Sequence, residues 1–208
     1  MQDDEVTGPA ALWLLDGEAL WSRLGCAGCH GDARESMKGV AARYPGVEKS
    51  LINLEQRINL CRTERQKAPA LAYESRDLLE LSAYVARQSR GLPIEIVVSE
   101  KTRPFLESGR AAFHRRQGQL DLSCAQCHDD NWGKSLAGNP IPQAHPTGYP
   151  LYRLEWQGLG SLQRRLRNCM IGVRAEPYAY GAPEFVELEL YLMWRARGMK
   201  LETPAVRP

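Results

Sequence analysis

Apolar positions in this chain recur mainly at intervals of three and four residues, which is the spacing of one face of an α-helix. The clearest case is Leu51, Leu54, Ile58 and Cys61, which follow Ser50 as a predicted N-cap. This spacing places Cys61 on the buried face of the helix. Three further helices are predicted, over residues 17–24 after a cap at Asp16, from Ser75 to a stop at Gly91 and Pro93, and from Pro104 to Phe113.

Two short motifs of the form Cys-x-x-Cys-His follow predicted helices. They occupy residues 26–30 and 124–128, with cysteines Cys26, Cys29, Cys124 and Cys127 and histidines His30 and His128. Two thiols one helical turn apart can form thioethers with the two vinyl groups of a haem, and the next residue presents its imidazole to the iron. The sequence therefore predicts two covalently bound haem c groups, with both histidines as iron ligands.

A single structural zinc site is the alternative explanation of these cysteines, because two Cys-x-x-Cys pairs could supply four thiolates to one metal ion. A zinc ribbon, however, has no need of a histidine after each pair. The two motifs also lie far apart in the sequence, and each follows its own helix-like segment. The pattern favours two separate haem modules over one zinc site.

The two halves of the chain repeat one another after each motif. Four pairs share a constant offset of 108 residues: Leu54 with Leu162, Arg57 with Arg165, Ile58 with Leu166, and Cys61 with Cys169. A second run near the end of each half is offset by 107 residues and pairs Leu81 with Leu188 and Tyr84 with Tyr191. The prediction is a mostly α fold with little β structure, in which two cytochrome c-like haem domains are related by internal duplication.

A boundary between the two domains is predicted near residues 92–99. This short segment is rich in β-branched residues and contains Pro93, which predicts an extended linker or a brief strand. The N-terminal domain then covers residues 1–92 and the C-terminal domain covers residues 93–208. The connection over residues 129–160 is longer than its counterpart in the first half. Its aromatic residues predict an ordered loop that packs against a haem or a partner, namely Trp132, Tyr149, Tyr152 and Trp156.

Two cysteines, Cys61 and Cys169, lie outside the haem motifs. In an exported protein such a pair could form a disulfide. The repeat favours another role, because each half contributes one cysteine at the same place on the same helix. Each thiolate is predicted to be the second axial ligand of its own iron, which would lower the reduction potential. His114 and His145 are weaker candidates because neither has a counterpart in the other half.

Composition and charge exclude several classes of function. The chain has 208 residues with 27 basic and 25 acidic side chains, and this balance predicts no nucleic-acid partner. Haem attachment of this kind resembles export-linked cytochrome maturation, which implies the periplasm, and residues 1–6 are expected to lie near the mature N-terminus because no signal peptide is visible. The apolar run over residues 10–15 is far shorter than the roughly 20 residues of a membrane helix, so a soluble chain without a membrane span is predicted.

A cluster of arginines surrounds Cys169 in the sequence. A run of arginines on a helix is usually a solvated face. Here Leu162 and Leu166 share the inward face with Cys169, so at least Arg165, one turn before the cysteine, is predicted to lie beside the iron. A cationic pocket over a thiolate suits a small sulfur oxyanion. The cluster consists of Arg164, Arg165, Arg167 and Arg174, with Lys134 as a further candidate from the long loop.

The segment over residues 168–178 reads Asn-Cys-Met-Ile-Gly-Val-Arg-Ala-Glu-Pro-Tyr, and it is followed by Tyr180-Gly181 and a predicted helix over 184–192. With both haem motifs and both later cysteines, it resembles the SoxA family of dihaem cytochromes. The resemblance covers nearly the whole chain and is more specific in the second half.

The resemblance implies a periplasmic haem enzyme subunit that oxidises thiosulfate, an L-cysteine S-thiosulfotransferase. It implies a heterodimer with a small monohaem cytochrome, SoxX, and the joining of thiosulfate to a cysteine of the carrier protein SoxYZ. By position, His30 and Cys61 would ligate haem 1, and His128 and Cys169 would ligate haem 2. In the family the second cysteine is found as a persulfide, and the arginine four residues before it, here Arg165, lies in the active site.

The resulting hypothesis has Arg165 and Arg174 bind the sulfonate oxygens of thiosulfate while its terminal sulfur bonds to sulfur on Cys169. The electrons would leave through the haems to SoxX. One alternative is a thiosulfate dehydrogenase that couples two thiosulfates to tetrathionate. Another is a dihaem electron carrier without substrate chemistry, in which the arginine cluster serves as a docking face.

Overall fold

Helices form most of the regular structure in the computed structural model, which describes residues 8–208. The nine α-helices of this part of the chain are α1 (Ala11–Arg23), α2 (Cys26–His30), α3 (Ala33–Ser36), α4 (Leu54–Leu60), α5 (Arg76–Arg87), α6 (Arg103–His114), α7 (Cys124–His128), α8 (Leu162–Gly172) and α9 (Pro183–Arg195). The predicted mostly α fold with little β structure is confirmed.

The strands are only two or three residues long and connect the helices. They are β1 (Gly46–Val47), β2 (Leu51–Ile52), β3 (Ser135–Leu136), β4 (Asn139–Pro140), β5 (Leu151–Arg153), β6 (Gly158–Gly160) and β7 (Val206–Arg207). Strands β1 and β2 form one hairpin, and β3 and β4 form another. In the third sheet, β5 lies between antiparallel β6 and parallel β7, so the chain terminus is paired with the long loop.

The same helix crossing occurs in both halves. In the first half, the helix before the motif, α1, packs against a helix after it, α5. In the second half, α6 lies before the motif and packs in the same way against α9, which lies after it. Both crossings depend on a glycine, because a Cβ at Gly17 would collide with the carbonyl of Glu80, and a Cβ at Gly109 would collide with that of Glu187. This repeated close approach agrees with the predicted internal duplication.

One apolar core extends across the two halves. Phe113, Leu190 and Leu192 of the second half belong to the same buried cluster as Ala42 and Ala86 of the first half. The segment after residue 92 is extended, as predicted. It donates from Ile94 N to Met199 O and from Glu95 N to Ala42 O, each at 2.9 Å. The domain boundary between residues 92 and 93 stays a prediction.

Two predicted helix starts are wrong. Helix α1 begins five residues before Asp16, because Ala11 and the residues after it already favour helix, and the Asp16 carboxylate pairs with Arg76 Nη2 at 2.9 Å. The residue that caps α4 is Asn53, not Ser50. Its side chain accepts from Gln56 N at 2.9 Å, whereas Ser50 lies in the turn between β1 and β2.

Two other helix starts are confirmed. Ser75 caps α5, with its hydroxyl accepting from Leu78 N at 3.3 Å, and Pro104 lies in the first turn of α6. The interpretation of residues 1–6 falls outside the described residues. Among residues 8–208, none of the helices has the combined length and apolar character that a membrane crossing requires.

Candidate functional site

The second Cys-x-x-Cys-His motif forms the short helix α7, and a capping box fixes where this helix begins. The Ser123 hydroxyl accepts from Gln126 N at 3.2 Å, and the Gln126 side-chain oxygen accepts from Ser123 N at 2.9 Å. These bonds satisfy two backbone donors that would otherwise lack partners. The cap therefore holds both motif cysteines on one rigid helical turn that ends at His128.

His128 is oriented by the long loop. Its Nδ1 lies 2.7 Å from the carbonyl oxygen of Pro142, and a carbonyl can only accept, so Nδ1 carries the proton. This leaves Nε2 as the lone-pair nitrogen, which is the arrangement that a metal-ligating histidine needs. Burial lowers the pKa of His128, which favours the neutral imidazole. Pro142 was not singled out from the sequence, because a backbone carbonyl has no side-chain signature.

The residue after the motif histidine ties α7 to α9. Arg195 Nη2 lies 2.5 Å from Asp129 Oδ1, and the same guanidinium lies over the Phe113 ring with its Cζ 4.6 Å from the ring centroid. Arg195 also donates to the carbonyl oxygen of Gln143 at 3.3 Å. Because both side chains of the ion pair are largely buried, this contact fixes the end of the motif against the core.

Helix α8 brings Cys169 to the second motif. The Cys169 thiol is half-buried and lies within electrostatic reach of both Cys124 and Cys127. Burial raises the pKa of Cys169, and the positive charge of Arg165 acts in the opposite direction. Burial also raises the pKa of Cys124 to about 11. Cys169, His128 and both motif cysteines therefore meet at one site.

Arg165 is the arginine of α8 that acts on this site. Its charge affects Cys169, His128 and Tyr149, and within the part of the chain that the structure describes it makes no ion pair. A half-buried guanidinium without a carboxylate partner is available to an anionic ligand. The structure places the charge of Arg165 near Cys169, and its predicted position beside the iron stays a prediction.

Arg153 is a second cation near Cys169, and sequence reasoning missed it. It lies at the end of β5, is only 15% exposed in its side chain, and acts electrostatically on both Cys169 and Tyr149. Its Nη2 pairs with Glu155 at 3.1 Å, while its buried Nε has no hydrogen-bond partner. The repeat did not indicate it, because Arg153 lies in the connection that is longer than its counterpart in the first half and outside the matched runs.

The other arginines of the predicted cluster lie elsewhere. Arg164 stacks on Trp156, with Cζ 4.4 Å from the ring centroid, and Arg167 stacks on Tyr180 at 4.7 Å. Arg174 is exposed, follows the end of α8 with φ +56°, and is not among the charges that act on Cys169. Lys134 Nζ instead donates to Asn131 Oδ1 at 2.8 Å. The structure thus brings Arg165, and not the whole cluster, to the cysteine.

The aromatic residues of the long loop are mostly packed. Tyr149 is half-buried, and removal of its side chain from water raises its pKa to about 12, while Tyr152 belongs to the buried cluster beside Leu159. Trp156 lies between two guanidinium groups, whereas Trp132 is 57% exposed. The predicted ordered loop agrees with this packing, and Trp132 remains available to a partner.

The first motif forms helix α2, and a later cysteine, Cys61, lies near it as Cys169 lies near the second motif. The Cys61 and Cys29 thiols both act electrostatically on Cys26, whose pKa is raised by burial and lowered by the charge of buried Arg62. Cys61 opens a π-helical turn, whereas Cys169 lies within the regular helix α8. His30 is exposed, with its ring 5.7 Å from that of Trp21.

The donor sets fit haem c better than zinc. Each motif has two thiols on one helical turn, a histidine at its end and one further cysteine nearby, a set that could supply two attachment points and two axial ligands to a haem. The four motif cysteines are divided between two sites. Over residues 8–208, no three His, Cys, Asp or Glu side chains converge as a bare metal ion would require, and the six cysteines form no disulfide.

Residues 16–94 and 108–201 match the family described as SoxA/TsdA, cytochrome c domain. Each segment contains one Cys-x-x-Cys-His motif and one later cysteine. The chain is 35% identical to the L-cysteine S-thiosulfotransferase subunit SoxA of Rhodovulum sulfidophilum, in an alignment that covers 100% of this chain and 75% of that protein. The chain belongs to the SoxA family.

A second SoxA protein and a solved structure are similarly close to the chain in sequence and in fold. The subunit of the same name from Paracoccus pantotrophus is 31% identical over 100% of this chain and 74% of its own length. The crystal structure of SoxXA from P. pantotrophus matches with a TM-score of 0.95 and 30% identity, over 100% of this chain and 81% of that one. The predicted family and fold are confirmed, and a cytochrome c domain implies covalently bound haem c.

Proposed function

We propose that the chain is the haem-bearing subunit of an L-cysteine S-thiosulfotransferase and joins thiosulfate oxidatively to a cysteine of a SoxYZ-type carrier. The observation that supports this most strongly is the meeting of Cys169, the second haem motif and the unpaired cation of Arg165. Relatives that are 31–35% identical to this chain have this activity in their names.

Arg165 and Arg153 are proposed to bind the sulfonate oxygens of thiosulfate. Both charges act on Cys169, and the substrate is a dianion that would otherwise avoid a buried thiol. A planar guanidinium can donate two parallel hydrogen bonds to two oxygens of one sulfonate, which would orient its terminal sulfur. Arg174 stays a candidate from the sequence, although its exposed position supports Arg153 as the second cation.

Cys169 is proposed to form the new sulfur–sulfur bond. In the overall reaction, a carrier thiol and one thiosulfate give a carrier thiosulfonate disulfide, one proton and two electrons. Bond formation between the terminal sulfur of thiosulfate and sulfur on Cys169 releases the two electrons, which would pass one at a time to the monohaem partner and from there to its electron acceptor. The carrier thiolate then attacks the sulfur that came from thiosulfate, which transfers the group and regenerates the sulfur on Cys169.

Two haem groups are proposed. Cys26 and Cys29 would attach haem 1, with His30 and Cys61 as axial ligands. The second set would consist of Cys124 and Cys127 for attachment and of His128 and Cys169 as axial ligands. When bound, the haem iron supplies a one-electron acceptor of low potential.

The proposed partners are a SoxX-like monohaem cytochrome, in a heterodimer, and the SoxYZ carrier, and the proposed location is the periplasm. The structural relative was crystallised as SoxXA, which supports the first partner. Ile171, two residues after Cys169, is 58% exposed, and Leu136 of the β3–β4 hairpin is 64% exposed. Exposed apolar side chains of this kind are typical of surfaces that a partner covers.

The number of haems follows from the two motifs. The wild-type chain should contain two covalent haems per molecule, and replacing both cysteines of either motif, Cys26/Cys29→Ala or Cys124/Cys127→Ala, should leave one. Intact-protein mass spectrometry measures this number directly. The two double variants are matched controls for each other, and a wild-type mass with a single haem would contradict the proposed count.

Arg153→Leu should weaken thiosulfate binding by about tenfold, because one charged contact to the anion is lost while Arg165 remains. The apparent KM for thiosulfate in steady-state turnover measures the effect. Arg110→Leu, which removes an exposed arginine that lies 3.9 Å from Glu107 on α6, is a matched control and should leave KM unchanged. Equal values for both variants would exclude Arg153 from the binding site.

The function itself is tested by reconstitution of the chain with its monohaem partner, SoxYZ, thiosulfate and a soluble electron acceptor. Mass spectrometry of the carrier should show one added thiosulfonate group for every two electrons that reach the acceptor. Tetrathionate formed without the carrier would favour a thiosulfate dehydrogenase. Electron transfer without any sulfur product would favour a plain electron carrier.

A further inference from the structure

A closed ring of hydrogen bonds joins the two cysteine-bearing helices at their N-terminal ends. Five residues form it: Asn53, Gln56, Gln163, Gly181 and Glu189. Asn53 caps α4, the helix that leads to Cys61, and Gln163 lies in the first turn of α8, the helix that contains Cys169. The ring therefore joins the helix that leads to Cys61 to the helix that contains Cys169.

Glu189 on α9 is where the two helices meet. Its Oε1 accepts from Asn53 Nδ2 at 3.1 Å and from Gln163 Nε2 at 2.6 Å. The ring closes through Gly181, whose N–H donates to Gln163 Oε1 at 2.7 Å and whose carbonyl accepts from Gln56 Nε2 at 3.1 Å. Asn53 and Gln163 are each only 2% exposed, so water cannot easily replace these bonds.

The surroundings of Glu189 disfavour a negative charge. The residue is 6% exposed, and within residues 8–208 it has no ion-pair partner. Its two amide donors favour the carboxylate form, but burial and the charge of Glu55 outweigh them and raise the pKa of Glu189. A buried carboxylate without a cation is costly, so such a group keeps its proton. The titratable or charged side chains on the elements around it are Glu55 of α4, Tyr73 and Glu74 before α5, Tyr149 before β5 and Arg164 of α8.

A small cavity lies against this carboxyl group. It has a volume of about 60 Å³ and is lined by Glu55, Asn53, Tyr149 and Glu189 among others. This is room for about two water molecules. If Glu189 ionised, its repulsion of Glu55 and the entry of water would weaken the ring. Burial raises the pKa of Glu189 to about 8 and that of Glu55 to about 7, in agreement with this geometry.

We propose that Glu189 is a positioning residue that, in its protonated form, fixes the N-terminal ends of α4 and α8 together and thereby sets the ligand geometry at both haems. The inference rests on the proposed role of Cys61 and Cys169 as axial ligands. It assigns a purpose to a polar group that is buried in the core.

Three variants test this proposal in the haem-loaded complex with the monohaem partner. Glu189→Gln keeps a carbonyl acceptor and cannot ionise, Glu189→Ala removes the acceptor, and Glu187→Gln changes an acid on the same helix that bonds Ser108 at the surface. The axial-ligand bands of both haems are recorded by absorption and electron paramagnetic resonance spectroscopy between pH 6 and pH 9, and the urea midpoint of unfolding is measured over the same range.

In the wild type and in Glu187→Gln, the spectra should change as the pH rises through about 8, whereas the urea midpoint should fall as the pH rises towards about 8 and level off above it. The folded-state pKa of Glu189 is above its unfolded value, so its contribution to stability is complete below the unfolded pKa and is lost as the pH rises to the folded pKa. Glu189→Gln should remove the spectral change near pH 8 and keep the acid-pH spectra, and its urea midpoint should fall less than that of the wild type, because only the contribution of Glu55 remains. Glu189→Ala should alter the bands of both haems at every pH.

Two results would overturn the proposal: an unchanged pH profile in Glu189→Gln, or bands in Glu189→Ala that change at one haem only. Failure of the ligand assignment is recognised separately, because Cys61→Met and Cys169→Met would then leave the haem bands unaltered. The urea midpoint would still report whether Glu189 ionises in the folded chain.

Discussion

Replacing Cys169 by Met is expected to abolish the transfer of thiosulfate to the carrier protein while the haem content stays unchanged. The thioether bonds are proposed to come from Cys124 and Cys127, so the haem does not depend on Cys169 for attachment. The substitution removes the sulfur that would form a bond to the substrate. Loss of a covalent nucleophile lowers turnover by on the order of 10³-fold or more.

Cys61→Met is the matched comparison, because Cys61 occupies the equivalent place in the first half of the chain. Both variants should change the spectrum of one haem. The loss of sulfur transfer should be at least about tenfold larger for Cys169→Met, since the cations Arg165 and Arg153 accompany that cysteine. Equal turnover of Cys169→Met and the wild type would remove Cys169 from the mechanism.

Replacing Arg165 by Leu should lower kcat/KM for thiosulfate by about 10²- to 10³-fold. The guanidinium acts on Cys169 and His128 and makes no ion pair within the described residues, so its charge has no other evident use. Arg165→Lys keeps the charge and loses the planar pair of donors. That variant should retain about a tenth of the activity.

The control for Arg165 is again Arg110→Leu, whose exposed side chain lies outside the site. Arg174→Leu provides a further comparison between the sequence and the structure. If Arg174→Leu lowered kcat/KM for thiosulfate as much as Arg165→Leu does, Arg174 would belong to the binding site, as predicted from the sequence. Activity of Arg165→Leu close to that of the wild type would contradict the assignment of Arg165 as the principal anion-binding group.

The sequence predicted what depends on local chemistry. The spacing of cysteines and histidine within each motif is a requirement of the attachment reaction, so it is visible without any structure. The position of Cys169 also followed from the sequence, because the duplication supplied Cys61 as an internal comparison. The close helix crossings at Gly17 and Gly109 occur at matching places in the two halves, so the duplication is also visible in the structure.

The sequence could not predict contributions from segments that have no repeat or no chemical signature. Arg153 reaches Cys169 from the long loop, and the carbonyl of Pro142 that orients His128 belongs to the same loop. Helix starts were misplaced where a competing interaction took the side chain, as with the ion pair of Asp16. Nothing in the sequence signals the burial of Glu189, because its partners Asn53 and Gln163 are distant from it along the chain.

The central claim is that Cys169 carries sulfur from the substrate. Its most direct test is to expose the purified haem-loaded protein to thiosulfate and to examine the peptide over residues 168–174 by mass spectrometry. The proposed function predicts a sulfane or thiosulfonate adduct on Cys169. An unmodified Cys169 thiol in a protein that retains its haem would contradict the claim and favour a plain electron carrier.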